Sequence, residues 1–294
     1  MGVNQDHIAF DTVEIPWTPS TADAASGLTR DNVMVWTLRK EVLEKGPLPT
    51  ILLVAGLDLN MADQLDHIHP LVQQGWAVIA VDMPGTGKSP LSGRFTNMGN
   101  DRPMWDAVVK YVHSRPDLFD AKQLHALGVS TGGYWSNKLA HTHAHVFASV
   151  VSRGGASHYT FQPDWLAAST TLSYPCNLPK ALGLAFGYND TQEFINHAQR
   201  YSLYEQNLLG VVPTTKLLAI TGTEDLVFPV DDSLMFTEYS TPTVNLTMRT
   251  AAPAPQLRLF PGLDHNAELQ GLIYVNAYFE QLLAQLGKGQ KTSK

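Results

Sequence analysis

A turn of small residues lies near the middle of the chain, between an apolar run and a helical pattern. The turn is Gly128–Gly133, with the sequence GVSTGG; it ends the apolar run Gln123–Val129 and precedes a helical pattern over Tyr134–His145. Glycines two residues before and two after a serine allow a strand to enter a helix through a turn too tight for larger residues. Such a turn holds the Ser130 hydroxyl above the edge of a sheet, at the amino end of the helix.

Other apolar runs alternate with helical patterns on both sides of this turn. Extended segments at Val13–Trp17 and Val33–Leu38 come first. The runs predicted as buried strands are Thr50–Asp58, Ala77–Val81, Gln123–Val129, Ala148–Ser152, Lys216–Thr221 and Gln256–Phe260. The segments predicted as helices are Met61–Gln74, Met104–Ser114, Tyr134–His145 and Gln270–Leu286. This alternation predicts an α/β fold, with a mostly parallel central sheet and helices on both faces.

The alternation stops between the fourth and fifth predicted buried strands. Residues 154–215 are rich in aromatic side chains and contain helical patterns, of which Thr191–Leu203 is the clearest, but no strand pattern. An insertion at this point lies at the carboxyl ends of the strands, where open α/β sheets bind ligands. We therefore predict a core of residues 1–153 and 216–294, and a helical cap of residues 154–215.

An acid and a histidine follow two of the later strands. Asp225 comes after the strand LLAIT, and His265 comes after the strand LRLF. Because the carboxyl ends of parallel strands share one edge of the sheet, both side chains can meet Ser130. The order serine, acid, histidine predicts Ser130 as the nucleophile, His265 as the base and Asp225 as the carboxylate that orients the imidazole. We interpret the neighbouring Glu224 and Asp264 as solvated loop carboxylates.

A serine nucleophile of this kind also needs donors for the negative oxygen of its tetrahedral intermediate. The backbone N–H of Thr131, next to the nucleophile, is one candidate. The other is the N–H of Leu57, which follows Gly56 at the end of the first buried strand.

Aromatic side chains of the predicted cap allow two interpretations: they line a pocket for a flat substrate, or they form the core of the cap. These residues are His158, Tyr159, Trp165, Tyr174, Phe186, Tyr188 and Tyr201. We favour substrate binding for His158 and Tyr159, because they follow Gly154 and Gly155 directly after the fourth buried strand.

Motifs for phosphate and metal binding are incomplete. The segment Gly87-Lys88-Ser89 looks like the end of a phosphate-binding loop, but Asp82 stands where that loop needs a glycine. No dinucleotide-binding glycine motif is present. Several histidines lie close together along the chain, at 67 and 69 and at 141, 143 and 145, without interleaved carboxylates, so we interpret them as structural. We therefore predict no cofactor and no metal.

Charge and composition limit the partners. The net charge is −7 and the isoelectric point is near 5.8, which argues against binding nucleic acid or an anionic membrane surface. No apolar run has the ~20 residues of a membrane helix, and the first residues do not resemble a signal peptide. Cys176 is the one cysteine, which excludes an intrachain disulfide. We expect a cytoplasmic protein with a small-molecule substrate, and the sequence leaves a homodimer open.

Taken together, the serine turn, the late Asp225 and His265, and the segment Asp82–Ser89 resemble the α/β-hydrolase superfamily. More narrowly, segments between about residues 50 and 285 resemble fungal hydrolases that shorten polyketides in pigment pathways, and the related bacterial 2,6-dihydropseudooxynicotine hydrolase and FrsA-like enzymes. The matching segments are 56–58, 75–77, 83–86, 132–134, 140–143, 158–159 and 163–166. The resemblance implies an α/β-hydrolase fold, carbon–carbon bond cleavage, and Asp58 and Trp165 as further substrate-binding residues.

Three hypotheses of function follow. The first is a serine hydrolase that acts through an acyl-enzyme on a polyketide-like ketone or ester. The second is an acyltransferase or cyclase, in which a nucleophile of the substrate replaces water. The third is a non-catalytic binding protein on the same scaffold, which is disfavoured because Ser130, Asp225 and His265 are all present. A peptidase is disfavoured because the sequence shows no acidic pair placed to hold the amino terminus of a peptide.

Overall fold

An eight-stranded sheet organises the part of the protein that the structure describes. The computed structural model describes residues 10–38, 46–210, 215–239 and 254–291. The strands are β1 (Phe10–Pro16), β2 (Asn32–Leu38), β3 (Leu48–Val54), β4 (Ala77–Val81), β5 (Phe119–Val129), β6 (Ser149–Arg153), β7 (Leu217–Gly222) and β8 (Gln256–Phe260). Their order across the sheet is β1-β2-β4-β3-β5-β6-β7-β8. β2 is antiparallel to both of its neighbours, and β3 to β8 are parallel to one another. The prediction of a mostly parallel sheet is therefore confirmed.

Helices cover both faces of this sheet. They are α1 (Thr21–Ala25), α2 (Leu65–Gln74), α3 (Arg102–Ser114), α4 (Thr131–Thr142), α5 (Pro163–Ala168), α6 (Leu178–Ala185), α7 (Thr191–His197), α8 (Val230–Tyr239) and α9 (Glu268–Lys291). Because successive side chains of a strand point to opposite faces, the apolar run of β3 supplies two cores. Ile51 packs with α2 and α9 on one face, whereas Leu52 packs with α3 and α4 on the other. None of the described helices is both long and apolar enough to cross a membrane.

Helix α4 starts at the serine turn and runs through the interior of the protein. Every residue from Thr131 to His141 is buried, including polar ones. Such a helix has little freedom to move, so the sheet and the helix together fix the position of the serine turn.

Short helices form the described part of the chain between β6 and β7. They are α5, α6 and α7, together with 3-10 turns at Tyr159–Phe161, Ser169–Thr171 and Ala198–Tyr201. Phe186, Tyr188 and Tyr201 are buried among one another and neighbouring rings, with the Phe186 and Tyr201 centroids 4.2 Å apart. These three residues are part of the buried cluster on one face of the sheet, where Phe186 packs against Tyr134 and Trp135 of α4. The boundaries of a separate cap domain stay a prediction.

The helix α8 was not anticipated from the sequence, because its buried face carries polar residues. Asp232 and Ser233 are buried there together with Met235 and Phe236. The Asp232 carboxylate accepts backbone hydrogen bonds from the start of the segment that follows β6, including two of 2.6 Å from His158 and Tyr159. A polar residue with this role interrupts the apolar periodicity by which an amphipathic helix is recognised.

Candidate active site

The serine turn holds Ser130 in a backbone conformation that side-chain-bearing residues rarely adopt. Its φ is 56° and its ψ is −125°. Two backbone hydrogen bonds maintain this conformation: the Ser130 N–H donates to the Arg153 carbonyl at 2.8 Å, and the Gly133 N–H donates to the Ser130 carbonyl at 2.7 Å. Strained residues of this kind persist where the surroundings determine them, and they concentrate at functional sites.

The glycines around Ser130 are required by contacts between main chains. A Cβ on Gly128 would lie 2.2 Å from the carbonyl oxygen of Gly132. A Cβ on Gly132 would lie 2.3 Å from the carbonyl oxygen of Val54 and 2.4 Å from that of Ala55, at the end of β3. The G-x-S-x-G pattern is therefore the sequence consequence of packing α4 directly onto the sheet.

His265 and Asp225 complete a hydrogen-bonded series with the serine. The Ser130 Oγ lies 2.8 Å from His265 Nε2, and His265 Nδ1 lies 2.9 Å from Asp225 Oδ2. The side chain of Asp225 is buried and accepts three further hydrogen bonds, from the Thr221 hydroxyl at 2.8 Å and from the N–H groups of Val227 and Phe228 at 2.9 Å each. A carboxylate at Nδ1 favours the tautomer with its proton there, which leaves Nε2 to accept the serine proton.

The two neighbouring carboxylates lie outside this series. Glu224 is exposed, in agreement with its interpretation as a solvated residue. The interpretation of Asp264 as a solvated carboxylate was incomplete, because its Oδ1 accepts the N–H groups of His265 at 2.7 Å and Leu226 at 3.1 Å. Burial raises the pKa of Asp264, but hydrogen bonds led by the one from Leu226 outweigh burial and bring the pKa below its ordinary value. Asp264 thus caps the 3-10 turn His265–Ala267.

The predicted oxyanion donors lie beside Ser130. Gly56 is close enough that a Cβ placed on it would be 3.4 Å from the Ser130 Cβ, which brings the following residue, Leu57, next to the serine turn. Thr131 is the first residue of α4, where an N–H has no partner within the helix. Within the described residues, neither the Leu57 nor the Thr131 N–H donates to a protein acceptor. Their role as oxyanion donors stays a prediction.

A cavity of about 370 Å³ opens beside Ser130. It is lined by Gly56, Asp58, Leu59, Val129, Ser130, Ser173, Tyr174, Pro175, Val227, Asp264, His265, Asn266 and Glu268. Burial and the neighbouring Asp58 carboxylate raise the pKa of Tyr174 to about 12, so its hydroxyl remains protonated and can donate a hydrogen bond. Asp58 lines this cavity, and its role in substrate binding stays a prediction.

The other predicted substrate-binding residues are not among those that line this cavity. His158 Nδ1 lies 2.7 Å from the Ser202 hydroxyl, and its ring packs against Tyr159. Trp165 lies one layer behind the wall, since its Nε1–H donates at 3.3 Å to the carbonyl of Val227, a lining residue. A role for His158, Tyr159 and Trp165 in substrate binding stays a prediction.

The sequence reasoning missed several residues of the wall. Ser173, Val227 and Glu268 line the cavity but are not among the residues predicted from the sequence. Val227 and Glu268 follow Asp225 and His265 by two and three residues, so the loops that carry the acid and the base were a usable signal. Ser173 had no such signal, because its position depends on how the segment between β6 and β7 folds.

Two of the clustered histidines have hydrogen-bond partners close to them in the fold. His141 Nδ1 lies 2.8 Å from the Asn137 carbonyl, and His143 Nε2 lies 3.2 Å from Asp106. Over the ranges that the structure describes, no three histidine, cysteine, aspartate or glutamate side chains come together as metal ligands.

The strained serine at a strand-to-helix turn, with a histidine and a carboxylate from later strands, defines a protein of the α/β-hydrolase class with a site of the serine hydrolase type. Comparison with known families agrees. Residues 64–284 of the 294 match the sequence model of the prolyl oligopeptidase family, and the chain belongs to this family.

Individual relatives are more distant. Esterase FrsA of Escherichia coli O139:H28 (strain E24377A / ETEC) is 25% identical over 196 residues, which cover 66% of this chain but only 46% of the esterase. The solved structure of 2,6-dihydroxy-pseudo-oxynicotine hydrolase superposes with a TM-score of 0.65 at 16% identity, covering 90% of this chain and 67% of that one. The Pyrococcus furiosus esterase Pf2001 gives a TM-score of 0.59 at 17% identity, with 95% and 93% covered. The two structural likenesses show a shared fold.

Proposed function

We propose that the protein is a serine hydrolase that forms an acyl-enzyme at Ser130. The observation that carries this proposal is the short hydrogen-bonded series from Ser130 through His265 to Asp225, placed at the wall of an open cavity. As the Ser130 oxygen attacks a carbonyl carbon, its proton passes to His265 Nε2. The N–H groups of Leu57 and Thr131 stabilise the resulting oxyanion.

The same histidine then serves as an acid and again as a base. It returns the proton to the leaving group, and the C–X bond of the tetrahedral intermediate breaks to leave an ester of Ser130. A water molecule, deprotonated by His265, attacks that ester and releases a carboxylic acid. Asp225 holds the imidazole in the useful tautomer and stabilises its positive charge throughout. Its three other donors keep the carboxylate fixed during these steps.

The substrate class we propose is a compact ketone or ester of the polyketide or secondary-metabolite type. The cavity of about 370 Å³ suits a small molecule. In a β-diketone, attack at one carbonyl expels a carbanion that the other carbonyl stabilises and that a proton then quenches. In an ester or lactone, the same steps expel an alcohol. Support for the first comes from the segments that resemble polyketide-shortening hydrolases and from the fold shared with 2,6-dihydroxy-pseudo-oxynicotine hydrolase.

Product analysis in isotope-labelled water tests the proposal. The purified protein and the Ser130→Ala variant are each incubated in H₂¹⁸O with an aryl acetate, a β-diketone and a peptide anilide. We expect the wild-type protein to release carboxylic acid carrying one ¹⁸O from the ester or the diketone, and the variant to release none above background.

Three results would contradict this proposal. Equal turnover by Ser130→Ala would remove Ser130 from the mechanism. Acyl groups found on an added alcohol or amine instead of water would identify an acyltransferase. Turnover of the anilide alone, the substrate that the family's description suggests, would replace the ketone or ester by a peptide.

A further inference from the structure

Arg153 connects the two halves of the candidate active site. It is the last residue of β6, and it is only 7% exposed. Its main-chain carbonyl accepts the N–H of Ser130, whereas its side chain reaches the loop that follows His265. One residue therefore contacts the nucleophile turn through its backbone and the histidine loop through its guanidinium.

The guanidinium binds two carbonyl groups of that loop. Nε donates to the Asn266 carbonyl at 2.8 Å, and Nη2 donates to the Glu268 carbonyl. The remaining guanidinium nitrogen, Nη1, lies 2.9 Å from Nε2 of His67. Burial, with a smaller contribution from Arg153, lowers the pKa of His67 to about 4, so the ring is neutral near pH 7 and can accept this hydrogen bond.

This buried charge has no carboxylate to balance it within the part of the chain that the structure describes. Burial lowers the pKa of Arg153 to about 10, which leaves it positively charged at neutral pH. Burying a charge costs several kcal/mol, and carbonyl dipoles are what offset that cost here. A neutral side chain of similar size would fill this space without the free-energy cost of burying a charge. The two hydrogen bonds to carbonyl groups are therefore what distinguishes arginine from a neutral residue at this position.

The loop that it holds is strained. Asn266, Ala267 and Glu268 have φ values of 61°, 50° and 45°, all in the left-handed region. Each such non-glycine residue costs ~1 kcal/mol or more, and it persists only where its surroundings hold it. The three residues follow His265 directly, so any relaxation of this loop moves the imidazole.

We propose that Arg153 is a positioning residue, which keeps His265 within proton-transfer distance of Ser130 by holding the carbonyls of Asn266 and Glu268. The proposal rests on the proposed function, since the distance matters only if His265 takes the Ser130 proton. The catalytic atoms are not touched by Arg153, so it acts through the loop and not on the substrate.

The rate of labelling by a fluorophosphonate, together with kcat and KM for p-nitrophenyl acetate, tests this role. Arg153→Met removes the donors and keeps most of the volume, and Arg153→Lys keeps the charge with a single donor centre. Arg200→Met is a matched control, because the Arg200 guanidinium also binds two loop carbonyls, those of Phe95 at 2.8 Å and Thr96 at 3.2 Å. That loop does not line the cavity. Melting temperatures are recorded for every variant.

For Arg153→Met we expect labelling and kcat to fall by about 10- to 100-fold, since displacements of ~1 Å have effects of this size. KM should remain close to that of the wild type. Arg153→Lys should be intermediate, and Arg200→Met should label at the wild-type rate. If Arg153→Met does not fold, the labelling rate and kcat of Arg153→Lys are compared with those of the wild type instead.

A lower melting temperature with a wild-type labelling rate in either Arg153 variant would show a purely structural role and overturn the proposal. An equal loss in Arg200→Met would overturn it as well. If the wild-type protein itself is not labelled, it is the proposed function that fails, so the two failures are distinguishable.

Discussion

Replacing Gly132 by alanine tests whether close packing of the main chains is what fixes the nucleophile. The added Cβ would lie 2.3 Å from the Val54 carbonyl oxygen, 0.7 Å inside the 3.0 Å that real Cβ contacts respect. The neighbouring atom is backbone of a central strand and cannot swing aside, so α4 and β3 must separate. Overpacking of this kind costs about 1–3 kcal/mol, well below the ~5–15 kcal/mol that stabilises a typical domain.

The Gly132→Ala protein should therefore fold but react slowly. A shift approaching 1 Å at the nucleophile turn predicts a fall in kcat of about 100-fold. The assay is hydrolysis of p-nitrophenyl acetate, alongside urea unfolding to measure the free energy of unfolding. Gly99→Ala is the control, because its Cβ would meet only a side-chain atom, at 3.6 Å, and both quantities should match the wild type. Wild-type kcat in Gly132→Ala would refute the packing explanation of the turn.

Three further predictions concern the acid, the cavity and pH. Asp225→Asn favours the imidazole tautomer in which Nε2 is protonated and cannot accept the serine proton, so kcat should fall by about 10⁴-fold. Glu224→Gln should leave kcat unchanged in the same ester assay. The reverse result would identify Glu224 as the acid. Tyr174→Ala removes a side chain that lines the cavity and should change KM for bulky aryl esters several-fold. Tyr204 is exposed and does not line the cavity, so Tyr204→Ala should leave this KM unchanged. Equal changes of KM in the two variants would mean that Tyr174 does not contact substrate. Burial, and then Lys216, lower the pKa of His125 to about 4, below the 6.5 expected when unfolded. The unfolded state then binds more protons, so the free energy of unfolding should fall as pH drops from 6.5 to 4, by up to about 3 kcal/mol from this residue. In urea unfolding, the free energy of unfolding of His125→Phe should fall less steeply with decreasing pH than that of the wild type. Parallel pH dependences of the two proteins would contradict this prediction.

Much of the core could be predicted because its signals are local. The strands β4 and β8 begin and end at the predicted residues. β4 is a fully buried apolar run, whereas the prediction of β8 as a buried strand was wrong, because β8 is an edge strand of alternating polar and apolar residues with no buried position. The serine turn was recognisable because its two spaced glycines and the serine lie within five consecutive residues, although the contacts that exclude a Cβ from Gly132 are with Val54 and Ala55 of a distant segment. Asp225 and His265 could be placed near Ser130 by topology alone, because parallel strands deliver their following loops to the same edge.

The walls of the site could not be predicted in the same way. His158 and Tyr159 were expected at the site because they follow Gly154 and Gly155 directly after β6; buried Asp232 accepts their N–H groups, and neither residue lines the cavity beside Ser130. The residues of the predicted cap that line the cavity are Ser173, Tyr174 and Pro175, and their positions depend on tertiary packing.

Arg153 was overlooked for a different reason. The predicted strand stopped at Ser152, one residue short of the end of β6. A charged residue that ends a buried strand beside a glycine pair is a usable signal, but the two carbonyl groups that it binds lie 113 and 115 residues away in the sequence. Only the folded chain shows that it faces the histidine loop.

The most direct test of the central claim is the intact mass of the protein after treatment with a fluorophosphonate, for the wild type and for Ser130→Ala. The account predicts a single adduct on the wild-type protein, located at Ser130 by peptide mapping, and no adduct on the variant. A folded wild-type protein that gains no adduct, or a variant that gains the same one, would contradict the assignment of Ser130 as an activated nucleophile.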